Sequence, residues 1–150
     1  MRSTRFIESI QIHCPRRRVF EYTQDYGQRL VWDTFLREAV LMDGATRADK
    51  GVKAWCVSKH GLGMETEYVS FNPPAVTAVK MTRGPWMFES FAGSWKFDEV
   101  DAHTTTVTFT YSFSLRAWIR LLTPVVKHSL IQNVRGRLKD LKERLETPGD

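Results

Sequence analysis

Apolar and polar residues alternate through much of the first 115 positions, and a period of two is typical of β-strands with one buried side. A first strand is predicted over residues 5–13. Further strands are predicted over residues 39–42, 52–59, 63–71, 75–81, 87–97 and 104–115. The breaks between the later strands are short and rich in Gly, Pro, Asp and Asn, so consecutive strands are expected to form antiparallel hairpins. The sequence therefore predicts a meander.

Two short helical segments are predicted between the first and second strands. Pro15 suits the first position of a helix, and Val19 and Phe20 would lie on its buried side. A glycine follows and ends this helix. Residues 28–35, which include Trp32, are predicted to form a second short helix or a turn.

A long helix is predicted over residues 118–146, where apolar residues recur every three or four positions. This apolar stripe consists of Leu130, Val134, Leu138, Leu141 and Leu145. Pro124 interrupts the segment and leaves two interpretations open. Either Thr123 caps a helix whose first residue is Pro124, or Pro124 kinks one continuous helix.

The long helix and the sheet can bury their apolar sides against each other if the sheet curls around the helix. The strand over residues 104–115 indicates which side is buried, because its two sides differ sharply in polarity. One side carries Val107, Phe109, Tyr111, Phe113 and Leu115, and the other carries only Thr and Ser. Since the helix cannot fill the whole concave side, a groove near the helix start is expected to remain for side chains or a ligand.

Glu89 is the one acidic residue in the aromatic-rich stretch GPWMFESFAGSWKF, residues 84–97. Strict alternation places it on the same side as Phe91 and Trp95, which would turn it toward the cavity. A carboxyl group in such an apolar setting would have a raised pKa, and it could orient a polar ligand group or act as an acid or base. A strand phase shifted by one residue would instead place Glu89 in water.

The strand over residues 63–71 raises the same question for two further glutamates. Val69 and Phe71 are expected to point inward, and alternation carries Glu65 and Glu67 to the same side. A β-bulge near Thr66 would reverse this phase and turn both carboxylates outward.

Composition narrows the class of protein. The chain has 150 residues, which favours a single domain, 1–150, with a core that is stable without disulfides. The two cysteines, Cys14 and Cys56, form no disulfide framework and fit a reducing compartment. No apolar run is long enough to insert stably in a membrane, and the first residues, MRSTRF, do not resemble a signal peptide. These features predict a soluble, cytoplasmic protein.

The formal net charge is +5, and basic residues cluster near the end of the chain. Asp and Glu are interleaved with these cations, which is typical of a solvated helix face and not of a nucleic-acid surface. The cations of this cluster are Arg135, Arg137, Lys139, Lys142 and Arg144. No nucleic-acid partner is therefore predicted.

Eight short motifs occur along nearly the whole chain in a characteristic order. They are IQIHCP (10–15), VFEY (19–22), Asp25, WD (32–33), VSFNPP (69–74), GSWKF (93–97), TTTVT (104–108) and LKDLKERLE (138–146). Together they resemble the SRPBCC or START-like helix-grip superfamily, and most closely its bacterial polyketide cyclase/dehydratase-like proteins. The resemblance implies an α+β fold of order β-α-α-β6-α, in which a curved antiparallel sheet grips a long C-terminal helix over a hydrophobic pocket. Members bind lipids, sterols or aromatic polyketides, so no single reaction is implied.

The predicted ligand contacts combine aromatic side chains of the inner sheet with polar groups near them. They are Trp55, Glu67, Glu89, Phe91, Trp95, Phe109 and Tyr111. Trp95 and Tyr111 are favoured among the aromatic residues, because each brings a polar group that needs a partner when it is buried. The sequence contains no metal-ligand spacing, dinucleotide motif or local catalytic triad, so no metal or cofactor is predicted and no catalytic residue is assigned.

Three functions remain open from the sequence. The favoured one is binding of a hydrophobic or aromatic small molecule, lipid- or polyketide-like, between the sheet and the C-terminal helix. The second is a polyketide cyclase- or aromatase-like enzyme in which pocket carboxylates move protons. The third is a protein-interaction module whose cavity is closed by Phe91, Trp95 and Phe109.

Overall fold

The computed structural model describes residues 3–147, so Met1, Arg2 and residues 148–150 lie outside it. The strands are β1 (Thr4–Ile12), β2 (Leu36–Leu41), β3 (Lys53–Ser58), β4 (Gly63–Asn72), β5 (Val76–Arg83), β6 (Phe88–Asp101) and β7 (Thr104–Leu115). The helices are α1 (Arg16–Gln24), α2 (Arg29–Trp32) and α3 (Thr123–Glu146), and a 3₁₀ helix covers Ala117–Leu122.

The seven strands form one antiparallel sheet in the order β1-β7-β6-β5-β4-β3-β2. Strands β2 to β7 follow one another as neighbours, as the short turns predict, and β1 closes the edge by pairing with β7. The sheet curls around α3, which confirms the predicted α+β helix-grip fold. The order of elements also agrees, apart from the added 3₁₀ helix.

The apolar stripe of α3 packs into the concave side of the sheet along the C-terminal half of the helix. Val134, Leu138, Leu141 and Leu145 are buried there against residues of β1 and β7. Leu130, at the other end of the stripe, is only partly buried. The two halves of α3 therefore differ: the C-terminal half closes the core, and the N-terminal half leaves space beneath it.

Pro124 stands in the first turn of α3, which confirms the interpretation that it begins the helix. A proline has no amide hydrogen, and its ring clashes with the preceding turn, so an α-helix cannot run through it undistorted. Residues 117–122 consequently form a 3₁₀ helix, and the prediction of an α-helix from residue 118 is wrong for these positions. Leu122, and not Thr123, precedes the first helical residue.

A β-bulge interrupts the alternation of β6 at Glu89. Phe88 pairs with Leu115 and Ser90 pairs with the preceding residue of β7, so the pairing skips Glu89. Phe88 and Phe91 are both buried although they are three residues apart, and Glu89 is exposed. The prediction that Glu89 faces the cavity is therefore wrong, because the extra residue reverses the phase of the strand.

The register of β4 with β5 shifts twice, between Glu65 and Thr66 and again just after Tyr68. Thr66 and Tyr68 line the concave side of the sheet, so Glu65 and Glu67 lie on the outer side. The second shift leaves Val69 as the extra residue and brings Phe71 back into contact with the core, as expected for Phe71. The expectation that Val69 points inward is wrong, because Val69 is exposed. The expectation that Glu65 and Glu67 face the cavity is wrong, because an extra residue in the strand pairing reverses the phase of alternation, as it does at Glu89.

Leu141→Ala is expected to lower the free energy of unfolding by about 2–5 kcal/mol, because Leu141 is fully buried between α3 and the sheet. Leu121→Ala is the matched control, since Leu121 is 97% exposed, and we expect a change within about 0.5 kcal/mol. Urea denaturation of both variants measures the difference. Equal stabilities of the two variants would contradict the packing described for α3.

Candidate functional site

A cavity of about 490 Å³ lies between the sheet and α3, mostly beneath the N-terminal half of the helix, and it reaches as far as Arg137. This volume is within the range of small-molecule binding pockets. Its rim includes Leu62 in the β3–β4 turn, Pro85 before β6 and Val125 in the first turns of α3. Leu62 and Val125 are exposed, so the cavity opens to the surface at this end of the helix.

Aromatic side chains of β6 and β7 form one wall of the cavity. Phe91, Trp95, Phe109 and Tyr111 all line it, as the alternation of these strands predicts. Their rings meet edge to face: the centroids of Trp95 and Phe109 are 4.2 Å apart, and those of Phe109 and Tyr111 are 4.6 Å apart. Such contacts stabilise a rigid wall. The rings border the cavity without filling it. The structure therefore does not contain the closed cavity that the third alternative, a protein-interaction module, requires.

Gly93 lies between the aromatic residues of β6 and also lines the cavity. A Cβ atom at this position would stand 2.9 Å from the ring of Tyr111, which is closer than such contacts normally are. The Tyr111 ring therefore packs directly on the β6 backbone because residue 93 has no side chain.

Two buried arginines form the inner end of the cavity. Arg29, at the start of α2, and Arg137, in α3, both line the cavity and are each 7% exposed. Arg137 is twelve residues beyond Val125, which corresponds to about 18 Å along the helix. The positive groups therefore lie deep in the fold, well away from the rim.

Asp33 joins these arginines and is itself fully buried. Arg29 Nε donates to Asp33 Oδ2 at 2.9 Å, and Arg137 donates to the same carboxylate through Nε and Nη2 at distances of 2.9–3.2 Å. Arg137 Nη1 also donates to the hydroxyl of Tyr111 at 2.9 Å. We refer to Arg29, Asp33, Arg137 and Tyr111 as the arginine network.

The charges in the arginine network stabilise one another. Burial alone would raise the pKa of Asp33, but Arg137 and Arg29 outweigh it and hold that pKa below its usual value. Burial alone would lower the pKa of each arginine, but the charge of Asp33 outweighs it and raises both pKa values above their usual value. All three groups are therefore charged at neutral pH. Two cations with one anion leave the network with a net charge of +1.

A second polar group in the wall consists of neutral hydroxyls. Tyr68 Oη donates to Gln24 Oε1 at 2.7 Å and lies 3.2 Å from Tyr26 Oη. Burial raises the pKa of both tyrosines, so neither is ionised at neutral pH. Thr77 also lines the cavity, and within residues 3–147 its buried Oγ1 has no hydrogen-bond partner. A ligand oxygen or nitrogen could satisfy this hydroxyl.

Three of the predicted ligand contacts lie outside the cavity. Glu89 is exposed at the bulge, and Glu67 lies on the outer side of β4, where Lys53 and Lys80 are its neighbours across the adjacent strands. Trp55 also faces outward, because its neighbour Cys56 lines the cavity and successive side chains of a strand point to opposite sides. Its ring packs over Gly63 and lies 5.8 Å from the guanidinium of Arg83. The predictions of Trp55, Glu67 and Glu89 as cavity residues are therefore wrong.

Glu65 also lies on the outer side of the sheet. It accepts a hydrogen bond from Thr82 Oγ1 at 2.7 Å, and Arg83 and Lys53 lie 3.5 Å and 3.9 Å from its carboxylate. These contacts satisfy the charge of Glu65 locally. The wall of the cavity, as far as residues 3–147 show, carries no Asp or Glu side chain.

The sequence-based assignment missed the arginine network. The interleaved charges predict that Arg137 is a solvated cation of the last helix, yet it is buried. The available signal was its position: it follows Val134 by three residues and precedes Leu141 by four, so it stands on the apolar stripe. Arg29 and Asp33, four residues apart around Trp32, gave a second signal, since side chains at this spacing meet on a helix.

No helix within residues 3–147 is long and apolar enough to cross a membrane. The same residues bring together no group of three His, Cys, Asp or Glu side chains that could hold a metal ion.

Comparisons with known proteins agree with this architecture. The sequence model of the family described as polyketide cyclase / dehydrase and lipid transport matches residues 3–146. This match confirms the resemblance inferred from the short motifs. No curated protein matches the sequence at a significant level.

Solved structures of the same shape come from bacteria and plants. A START superfamily protein from Mycobacterium smegmatis has a TM-score of 0.81 at 10% identity, covering 95% of this chain and 97% of that chain. The Zhui aromatase/cyclase from Streptomyces sp. R1128 has a TM-score of 0.81 at 14% identity, covering 97% and 94%. The major latex-like protein 151 from Panax ginseng has a TM-score of 0.80 at 13% identity, covering 97% and 99%. Identities this low show a shared fold alone.

Asp33→Asn is expected to lower the free energy of unfolding by about 3–5 kcal/mol, because it leaves two buried arginines without their shared anion. Asp98→Asn is the matched control: its ion pair with Lys96 is 3.9 Å long and exposed, so we expect a change below about 1 kcal/mol. Urea denaturation of both variants measures the effect. A loss at Asp33 no larger than that at Asp98 would show that the network does not stabilise the fold.

Proposed function

Because the chain belongs to the polyketide cyclase / dehydrase and lipid transport family, we propose that it binds a hydrophobic or aromatic small molecule, lipid- or polyketide-like, in the cavity. The observation that carries this proposal is an apolar cavity of about 490 Å³ with a buried, net positive arginine network at its inner end. Both the apolar wall and the charge constrain the ligand.

The apolar wall supplies the affinity. Transfer of a ligand's apolar surface from water to this wall contributes about 25 cal/mol per Å². The edge-to-face packing of Trp95, Phe109 and Tyr111 holds the wall in place before binding, so little ordering of side chains opposes association. Flat aromatic rings and alkyl chains both fit such a surface.

The arginine network selects the polar end of the ligand. Asp33 neutralises only one of the two arginines, so the inner end of the cavity attracts an anion or a strong hydrogen-bond acceptor. Tyr111 Oη accepts from Arg137, which leaves the tyrosine O–H able to donate to a ligand oxygen. A carboxylate, sulfonate or enolate oxygen fits this site better than an amine.

A polyketide cyclase-like reaction is the second candidate, and the pairing of Tyr111 with Arg137 favours it. Donors held in an apolar cavity stabilise the negative oxygen that develops when a ketone enolises. Stabilisation of that oxygen would rest on this pair and not on pocket carboxylates, because Glu65, Glu67 and Glu89 lie outside the cavity. The proton that leaves the carbon would pass to the imidazole of His60, which lines the cavity. Asp33 is a poor proton acceptor, since both arginines hold its pKa low.

Native mass spectrometry of freshly purified protein, followed by identification of any co-purified molecule, tests the proposal directly. We expect a bound species with an apolar body and an acidic or carbonyl end. Amphiphiles with a cationic head as the consistent occupants would contradict the assigned polarity of the cavity.

Val79→Trp is expected to weaken binding of N-phenyl-1-naphthylamine at least about tenfold, because Val79 lines the cavity and an indole would occupy the ligand's volume. Lys80→Trp is the matched control: it adds the same ring to the outer side of β5, where Lys80 is exposed. Fluorescence titration measures both affinities, and thermal unfolding verifies that each variant folds. Equal affinities for two folded variants would place the probe outside the cavity.

Tyr111→Phe is expected to weaken binding of 1-anilinonaphthalene-8-sulfonate about tenfold, the contribution of one hydrogen bond to a charged group. N-phenyl-1-naphthylamine has the same rings without the sulfonate, and its affinity should stay unchanged. Glu89→Gln, on the exposed bulge, should alter neither affinity. Parallel losses for both probes at Tyr111 would indicate a packing effect and contradict recognition of an anion.

A further inference from the structure

Large apolar side chains are exposed beside the opening of the cavity. Trp118, Leu121 and Val125 are 72%, 97% and 67% exposed, and Trp86 and Leu122 are more than half exposed. They come from two segments, the loop before β6 and the stretch that joins the 3₁₀ helix to α3. We refer to Trp86, Trp118, Leu121, Leu122 and Val125 as the mouth patch. Contiguous exposed apolar residues of this kind mark surfaces that bind something.

The two segments of the mouth patch are fixed to each other. The indole rings of Trp86 and Trp118 stack with centroids 5.3 Å apart and an angle of 16° between their planes. Arg116 donates from Nε to the carbonyl oxygen of Trp86 at 2.7 Å and from its backbone N–H to Met87 at 3.0 Å. The patch is therefore a formed surface and not the side of a loose loop.

The charge around the mouth patch is positive. No Asp or Glu occurs between residues 102 and 139, whereas Arg116, Arg120 and Lys127 lie within or next to the patch. In the other segment, residues 84–88 include no acid, and the first acid beyond them is Glu89 on the outer side of the sheet. The patch thus combines tryptophans, aliphatic residues and cations without interleaved acids.

We propose that the mouth patch docks reversibly on the surface of an anionic phospholipid bilayer. Tryptophan prefers the membrane–water interface, because its ring is apolar and its N–H is polar. Arg120 and Lys127 would meet the headgroup charge, and each cation near an anionic surface adds to the attraction. A patch this small gives shallow, reversible binding, in keeping with the absence of a membrane-spanning helix within residues 3–147.

Charge favours a bilayer over a second copy of the chain as the occupant. In a two-fold dimer built on this patch, Arg120 and Lys127 of both copies would face the same interface, and like charges in contact oppose association. An anionic lipid surface is complementary to the same cations.

The patch is continuous with the cavity, because Val125 belongs to both and Pro85, next to Trp86, lines the cavity. Docking would place the opening against the lipid, so that an apolar molecule could pass between bilayer and cavity without crossing water. This last consequence rests on the proposed function; the docking itself does not.

The test uses flotation of the full chain with two kinds of vesicle, pure phosphatidylcholine and phosphatidylcholine mixed with phosphatidylglycerol. We expect binding to the mixed vesicles, weaker binding to the neutral ones, a blue shift of tryptophan emission on binding, and loss of binding at high salt. Leu121→Glu should weaken binding to the mixed vesicles at least about tenfold. Val100→Glu, at an exposed apolar residue at the other end of β6, should leave binding within about twofold.

A second pair of variants tests the charge. Arg120→Glu with Lys127→Glu should lower binding to the mixed vesicles at least about tenfold, whereas Arg47→Glu with Lys50→Glu makes the same change in net charge elsewhere and should have a much smaller effect. Similar losses for both pairs would overturn a site-specific interaction.

Two other outcomes would also overturn docking. One is failure of the native chain to float with mixed vesicles; the other is a dimer, measured by light scattering, that Leu121→Glu dissociates. Titration of each variant with N-phenyl-1-naphthylamine separates the two proposals. Retained probe binding shows an intact fold and cavity, and vesicle binding without probe binding would contradict only the proposed function.

Discussion

The rest of the structure depends on the salt bridges from Asp33 to Arg29 and Arg137. They connect the short α2 to the long α3, and through Tyr111 they attach both helices to β7 of the sheet. Burying three charges is costly, and it is favourable only when each partner is present with good geometry. The contacts that hold the helices together therefore also leave one arginine charge without an anion at the inner end of the cavity. The same residues can thus stabilise the fold and attract an anionic ligand.

Much of the fold follows from the sequence because its strongest local signals agree with one another. The clean alternation of β7 identifies the buried side of the sheet, and the stripe from Leu130 to Leu145 identifies the buried side of α3. Short turns leave few topologies other than a meander. Pro124 indicates that the last helix is either kinked or begins there, and its place in the first turn of α3 shows that the helix begins there.

The site was harder to predict because it depends on exceptions to those signals. One extra residue at Glu89 reverses the phase of a strand, and nothing in the local composition distinguishes it from regular alternation. Burial of Arg137 depends on Asp33, 104 positions away, so its surroundings exist only after folding. The aromatic wall was predictable, since Trp95, Phe109 and Tyr111 obey the alternation. The arginine network left a weaker signal, the position of Arg137 on the apolar stripe, and its pairing with Asp33 forms only in the folded chain.

Gly93 couples the width of the cavity to the position of its positive charge. Because the Tyr111 ring rests on the bare backbone of residue 93, a larger residue there would displace the tyrosine whose hydroxyl binds Arg137. Narrowing the cavity at this point would therefore also move its positive group. The size and the charge of the ligands that this chain accepts are thus linked variables, and a lineage that changes one at residue 93 changes the other with it.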